Sequence, residues 1–174
     1  MKKRIKDSKT TLRAIAFYQI IGGIIGIGLV GWLMLRTGQI NGPILFILLL
    51  AIFLFGLSIY SGKLLFRNNK QKEGIIYSTI IQGLQIFSFG VGGYVYEFFS
   101  GANATIGFNL TNGFEFKFGA ALSTFTFNIN SDTNYFIKIN ILAIIIMVVL
   151  LDIYEEQYKP KTANVESEST MNFN

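Results

Sequence analysis

The sequence predicts an all-α membrane protein: a bundle of four transmembrane helices with a small β-hairpin or three-stranded insertion outside the membrane, between helices three and four. Of the 174 residues, 51% are hydrophobic and only 14% are charged. The apolar residues are gathered into four runs, and the Lys and Arg residues cluster between those runs. Segments that cross a bilayer show this distribution, because each needs about 20 mostly apolar residues.

The first apolar run follows a basic N-terminal segment, 1–13, which carries six Lys and Arg residues. The run covers about 14–35, is longer than the apolar region of a signal peptide, and lacks a small-residue cleavage site after it. A helix of this length covers about 30 Å, which is the thickness of the bilayer hydrocarbon. We therefore interpret it as a retained first span.

Three further runs complete the predicted membrane domain, 14–159. The second span covers about 43–62, and Pro43 suits the first turn of its helix. The third covers about 74–98 and is more polar. The fourth covers about 135–154 and has Tyr residues at both ends, which favour the membrane interface. The polar tail, 160–174, is expected to be disordered and cytoplasmic.

The basic residues predict the orientation. Twelve of the fifteen Lys and Arg residues lie in the N-terminal segment, the loop after the second span and the tail; the other three are Arg36, Lys117 and Lys138. Because Lys and Arg favour the cytoplasmic side, both termini are predicted to be cytoplasmic. The net charge of +5 indicates attraction to lipid headgroups rather than to nucleic acid. The abundance of Ile, Asn, Lys and Phe favours a bacterial inner membrane.

The segment between the third and fourth spans, about 99–134, is predicted to be β-structure outside the membrane. Two stretches of alternating apolar residues flank a turn at 111–113, and Phe125 and Phe127 repeat the alternation in a third stretch. A three-residue turn pairs Leu110 with Phe114, Phe108 with Phe116, and Ile106 with Phe118. The apolar side of this hairpin must cover helix ends, lipid headgroups or a partner chain. This possible outer docking face consists of Phe108, Phe114, Phe116 and Phe118.

Glycines in the first span resemble a nucleotide-binding pattern but are better explained by packing. Gly26, Gly28 and Gly31 fit G-x-G-x-x-G, yet they lie within a lipid-spanning run with no strand before them, so we reject nucleotide binding. Gly22, Gly23 and Gly26 share one helix face. They are predicted helix-packing positions, because small residues let another helix approach closely.

Four amides form a possible intramembrane polar cluster: Gln19, Gln82, Gln85 and Asn140. In one interpretation they hold the bundle together by hydrogen bonds worth about 0.6–2 kcal/mol each. In the other they line a cavity for a lipid headgroup, a quinone or a small solute. The first is favoured, because no charged residue accompanies them and intramembrane charges usually mark transport paths.

The chain contains no Cys and no His, which removes the usual nucleophile, acid–base group and metal ligands. No catalytic, metal or cofactor-binding residue is predicted, and no cofactor is expected. The favoured function is that of a multi-pass, non-enzymatic interaction or accessory subunit that contacts the lipid bilayer and binds a membrane-protein partner or another copy of itself. The alternative is a small oligomeric transporter or channel, or a lipid-binding protein, that uses the amide cluster. A lipid-modifying enzyme is the least favoured hypothesis.

Overall fold

A computed structural model describes residues 8–111, 114–129 and 135–158. In these ranges the helices are α1 (Ser8–Arg36), α2 (Gly42–Phe66), α3 (Gln71–Ile86) and α4 (Ile141–Tyr158), with a short 3-10 helix, Asn68–Lys70, before α3. The strands are β1 (Phe87–Val91), β2 (Tyr94–Phe99), β3 (Asn103–Asn109), β4 (Glu115–Ala121), β5 (Thr124–Ile129) and β6 (Phe136–Asn140). The predicted disordered tail lies outside the described residues, as does most of the predicted basic segment; α1 begins within that segment.

The prediction of an all-α four-helix bundle is wrong. The six strands form one antiparallel sheet in the order β4-β3-β6-β1-β2-β5. Among the described helices, only α1 and α2 are long and apolar enough to cross a membrane. Helix α3 has 16 residues, about 24 Å, and α4 has 18 residues that include three acidic ones. Neither meets the requirement for a helical span by itself.

The third predicted span, 74–98, changes from helix to strand at Phe87. From that residue large and small side chains alternate in the order Phe-Ser-Phe-Gly-Val, which is the period of a strand. Gly92 and Gly93 follow with φ angles of 59° and 85° and form the two-residue turn between β1 and β2. A Gly-Gly pair between alternating stretches is a hairpin signal, but the overall hydropathy of the run hides it.

The fourth predicted span, 135–154, begins as a strand for the same reason. Its first residues alternate as Phe-Ile-Lys-Ile-Asn and form β6. The Asn140 side chain then accepts hydrogen bonds from the backbone N–H groups of Leu142 and Ala143, at 3.2 and 3.4 Å. Asn140 therefore marks the start of α4 as a helix cap, and the β-structure extends well beyond the predicted 99–134 segment.

The predicted hairpin is present as β3 and β4. Two of its predicted pairs, Ile106 with Phe118 and Phe108 with Phe116, are confirmed. The predicted third strand exists as β5, but it pairs with β2 instead of joining the hairpin. The strand that adds to the hairpin is β6, which pairs with β3. A hairpin alone is marginally stable in water, and this wider sheet supports it.

The sheet is strongly curled. Strands β4 and β5 lie at opposite edges, yet only Leu122 and Ser123 separate them in the chain. In a flat six-stranded sheet the two edges would be about 24 Å apart, because neighbouring strands are about 4.8 Å apart. Three Cα-to-Cα steps reach about 11 Å at most. The two edges therefore come together at this end, which we call the closed end of the sheet.

In β1, β3 and β6 the buried residues on the inner side of the curl are small or polar, and most of the large apolar residues lie on the outer side. The buried residues on the inner side include Ser88, Gly90, Thr105, Gly107 and Asn140. On the outer side, eight apolar side chains are 37% to 75% exposed. This outer face consists of Phe87, Phe89, Val91, Phe108, Phe116, Phe118, Ile137 and Ile139. Such an arrangement reverses the usual one, in which the apolar face of an antiparallel sheet is covered.

Two apolar clusters hold the helices together. One joins all four helices and includes Leu12, Leu65, Ile75 and Leu150. The other joins the helices to the sheet and includes Val30, Phe55, Ile81 and Phe98. In the second cluster the outer side of β2 lies against α1 and α2, so that side is covered only where the helices meet the sheet.

Candidate functional site

A layer of buried polar side chains lies between the two apolar clusters, with Gln19 at its centre. The Gln19 Oε1 atom accepts hydrogen bonds from Ser61 Oγ at 3.0 Å and from Ser78 Oγ at 2.8 Å. All three side chains are fully buried. One amide oxygen on α1 thus joins α2 and α3.

The polar layer continues into the segment that connects β2 with β3. Ser58 Oγ donates to the backbone oxygen of Gln19 at 3.2 Å, and Ser100 Oγ donates to Ser58 Oγ at 2.8 Å. The backbone N–H of Ser100 donates to Gln85 Oε1 at 2.9 Å. Two of the four predicted amides, Gln19 and Gln85, therefore belong to one network that reaches the closed end of the sheet.

The other two predicted amides behave differently. Gln82 is fully buried, and within the described part of the chain neither its Oε1 nor its Nε2 has a hydrogen-bond partner. Asn140 bonds to the backbone N–H groups of Ala104, Leu142 and Ala143 and caps α4. The structure therefore brings Gln19 and Gln85 into one network and assigns Asn140 to a local role.

Gly22 is the point at which α1 meets the closed end of the sheet. A Cβ atom at this position would lie 2.3 Å from the backbone nitrogen of Gly101. Ser123 Oγ donates to the backbone oxygen of Gly22 at 2.7 Å and accepts from the Gly101 N–H at 2.9 Å. Only a glycine permits this approach, so the small residue serves contact with the sheet rather than with another helix.

Gly23 and Gly26 are contact points between α1 and α2. A Cβ atom on Gly23 would lie 2.5 Å from Cγ1 of Ile59, and one on Gly26 would lie 2.2 Å from the ring of Phe55. These distances are far below van der Waals contact. Both glycines therefore allow the two helices to pack closely, as the spacing of small residues suggests.

The inner side of the sheet holds an ion pair. Lys138 Nζ on β6 lies 3.1 Å from Glu97 Oε1 on β2, and their side chains are 33% and 19% exposed. Strand β1 runs between β6 and β2, and its small residue Ser88 is paired with Lys138. The long side chains therefore meet across Ser88. Among the described residues, no group of three or more acidic side chains is placed to hold a metal ion.

The predicted docking face is an exposed aromatic patch at one edge of the sheet. Its four rings, of Phe108, Phe114, Phe116 and Phe118, are 42% to 75% exposed. Neighbouring ring centroids are 4.7 to 5.4 Å apart. All residues of β4 are exposed, and this strand pairs only with β3 in the described structure. Its other edge presents backbone N–H and C=O groups without a neighbouring strand.

Three contributors to these sites were not predicted. Ser100 and Ser123 lie far along the chain from their partners on α1 and α2. No short-range periodicity relates such positions. The open edge of β4 depends on the order of all six strands. A Gly or Ser between two stretches of alternating residues indicates that another segment approaches closely there, but it does not identify that segment.

The fold and these contacts define a class: a helical hairpin joined to a curled antiparallel sheet whose apolar side faces outward. Comparison with protein-family models, with curated proteins and with solved structures finds no match to this chain.

Proposed function

We propose that this chain is a non-enzymatic membrane interaction subunit. The hairpin of α1 and α2 anchors it in the bilayer, and β4 is its docking strand. The occupant of the docking strand is a second copy of the same chain. The observation that carries this proposal is the open, fully exposed edge of β4 beside the aromatic patch.

The anchor is supported by length and by the exposed side chains of the two helices. Helix α1 has 29 residues and α2 has 25, which correspond to about 43 and 37 Å. Phe17, Ile24, Phe46 and Phe53 project from them and are 58% to 65% exposed. A bilayer would cover such rings and branched chains, and this accounts for their outward position. The basic residues near the start of α1 and the end of α2 favour the cytoplasmic side for both.

Pairing of β4 with β4 of a second copy gives hydrogen-bond partners to the backbone groups along its open edge. An antiparallel pair centred on Phe116 places Glu115 of one copy opposite Lys117 of the other, in both directions at once. Within one copy these two side chains already lie 3.0 Å apart and are 54% to 58% exposed, so the exchange needs no burial of an unpaired charge. Opposite charges directly across two strands stabilise the pair, and the two aromatic patches become continuous.

Single-cysteine crosslinking tests the pairing directly, because the natural chain contains no Cys. We expect Phe116→Cys to form a disulfide-linked dimer in native-lipid membranes, since directly paired Cα atoms are about 4.5–5.5 Å apart, within disulfide reach. Phe108→Cys is the matched control. It is equally exposed on the next strand, where the two copies would be about 14 Å apart. Crosslinking of both variants, or of neither, contradicts the proposal.

Charge reversal gives a second test that does not depend on oxidation. Lys117→Glu places like charges across the proposed pair and is expected to shift the protein towards monomer in nanodiscs, as measured by particle mass. Adding Glu115→Lys restores the complementary pattern and is expected to restore the dimer. A double variant that stays monomeric while the natural chain is dimeric would contradict this register.

A further inference from the structure

We infer that the outer side of β1 and β6 contacts the hydrocarbon of the bilayer, so that this part of the sheet lies inside the membrane beside α1. The surface consists of Phe87, Phe89 and Val91 on β1 and of Ile137 and Ile139 on β6. It is separate from the docking strand β4. The inference rests on the membrane anchor proposed above.

The closed end of the sheet meets α1 at the middle of the helix. The closed end of the sheet contacts Gly22, which is equally far from Ser8 and Arg36, the two ends of the helix. Val30 and Met34, further along α1, lie in the cluster that includes Phe98 of β2. The second half of α1 and Phe98 therefore belong to one cluster, which puts β2 at the depth of that half of the helix. If α1 crosses the bilayer, the sheet begins near the middle of the hydrocarbon.

Helix α3 continues directly into β1. No linker separates Ile86 from Phe87, and the exposed apolar side chains continue from the helix into the strand. The exposed residues along this path are Ile76, Ile80, Leu84, Phe87, Phe89 and Val91. The path measures about 15 Å along the helix and about 17 Å along the strand. Its total of about 32 Å matches a hydrocarbon thickness of about 30 Å.

Strand β6 and helix α4 repeat this pattern in the opposite direction. Asn140 is followed directly by Ile141, again without a linker. The exposed residues on this path are Ile137, Ile139, Ile141, Ile145, Val148 and Leu151. Four strand residues and eleven helix residues give about 30 Å. Each path ends at polar residues on its helix side. Lys72 and Glu73 precede the path on α3 and β1, and Asp152 follows the path on β6 and α4.

The backbone of these two strands permits immersion. A strand can lie in hydrocarbon only if its N–H and C=O groups are paired, because unpaired groups cost several kcal/mol each. Strand β1 pairs with β6 from Phe87 to Gly90 and with β2 from Phe89 to Val91, and β6 also pairs with β3. The backbone of Phe89 and of Ile137 is therefore paired on both sides. The polar side chains of Lys138 and Ser88 point to the inner side, away from this surface.

Site-specific quenching tests the inference. Single-cysteine variants Phe89→Cys and Ile137→Cys, labelled with the environment-sensitive dye NBD, are placed in phosphatidylcholine–phosphatidylglycerol vesicles that contain lipids with a nitroxide on the acyl chain. Phe53→Cys, in the middle of α2 and 63% exposed, is the reference for hydrocarbon. Asn128→Cys, exposed on the inner side of β5, is the reference for water. We expect Phe89 and Ile137 probes to be quenched as strongly as the Phe53 probe and to resist aqueous iodide.

The two references separate failure of this inference from failure of the anchor. If the Phe53 probe is quenched by the lipid nitroxide but the Phe89 and Ile137 probes respond to iodide, the anchor stands and the inference is wrong. If those two probes respond to neither quencher, protein covers the surface and the inference is also wrong. If the Phe53 probe itself responds to iodide alone, the membrane anchor fails and the inference falls with it.

Discussion

The helical half of the molecule and the sheet half differ in where they place their large apolar residues. Around Leu12, Leu65 and Leu150 the helices enclose an apolar cluster. The sheet encloses small and polar groups, including the pair of Glu97 and Lys138, and turns its large apolar residues outward. Hydropathy alone does not explain the difference, because both halves are rich in apolar residues.

The difference follows from the space that each architecture leaves. Helices pack about 8–10 Å apart, and side chains of both partners fill that gap. The buried inner residues of β1 are Ser88 and Gly90, whereas Phe87 and Phe89 lie on its outer side. Gly107 shows how closely β3 approaches the neighbouring strand β6, since a Cβ atom there would lie 2.3 Å from the backbone oxygen of Ile137.

The largest expected difference in stability is between the loss of a buried aromatic ring and the loss of an exposed one. Phe98→Ala removes a fully buried ring that packs against Phe55 with centroids 5.5 Å apart, and we expect it to lower the free energy of unfolding by about 3–5 kcal/mol. Phe87→Ala removes a ring that is 57% exposed, and about 1 kcal/mol or less is expected. Denaturant unfolding in one detergent measures both. Equal losses would mean that the outer side of β1 is packed in the isolated protein.

The next contrast concerns two glycines on α1. Gly22→Ala forces a Cβ atom against the backbone of Gly101, and a loss of about 1–3 kcal/mol is expected. A Cβ atom on Gly28 would have no other atom within 4 Å, and alanine is a better helix former than glycine. We therefore expect Gly28→Ala to raise the free energy of unfolding by up to about 1 kcal/mol. Thermal unfolding in detergent distinguishes the two signs. A neutral Gly22→Ala would show that the sheet does not rest on α1 at this point.

The smallest contrast separates a bonded amide from an unbonded one. Gln19→Leu removes the acceptor of Ser61 and Ser78, and we expect a loss of about 1–2 kcal/mol. Gln82→Leu replaces a buried amide with no partner in the described structure, and a neutral or stabilising change is expected. The same unfolding measurement serves for both. A clear loss for Gln82→Leu would favour the alternative that the amides bind a small molecule.

The sequence predicts helices α1 and α2 well. The expected spans 14–35 and 43–62 lie within α1 and α2, because their apolar runs are uninterrupted and the turn between them has its own local chemistry. Asn41 accepts a hydrogen bond from the Ile44 N–H at 3.0 Å and caps α2. Local signals of this kind need no information from the rest of the chain.

The remaining errors have one physical cause. A run such as 74–98 contains enough apolar residues for a span, and only the change of period at Phe87 shows that its second part is a strand. The order of the six strands is also absent from local patterns, since β6 lies between strands that precede it by 30 to 50 residues. Within the candidate site, amide and glycine positions were predictable from helix spacing. Their partners in the connection between β2 and β3 were not.

The direct passage from helix to strand has a mechanical consequence. Where a loop joins two elements, its rotatable bonds absorb small movements of either one. No loop separates α3 from β1 at Ile86, or β6 from α4 at Asn140, so each helix and its strand form one continuous element. The two helix–strand elements lie side by side and run in opposite directions. No loop is therefore available at these two junctions to absorb a tilt of α3 or α4.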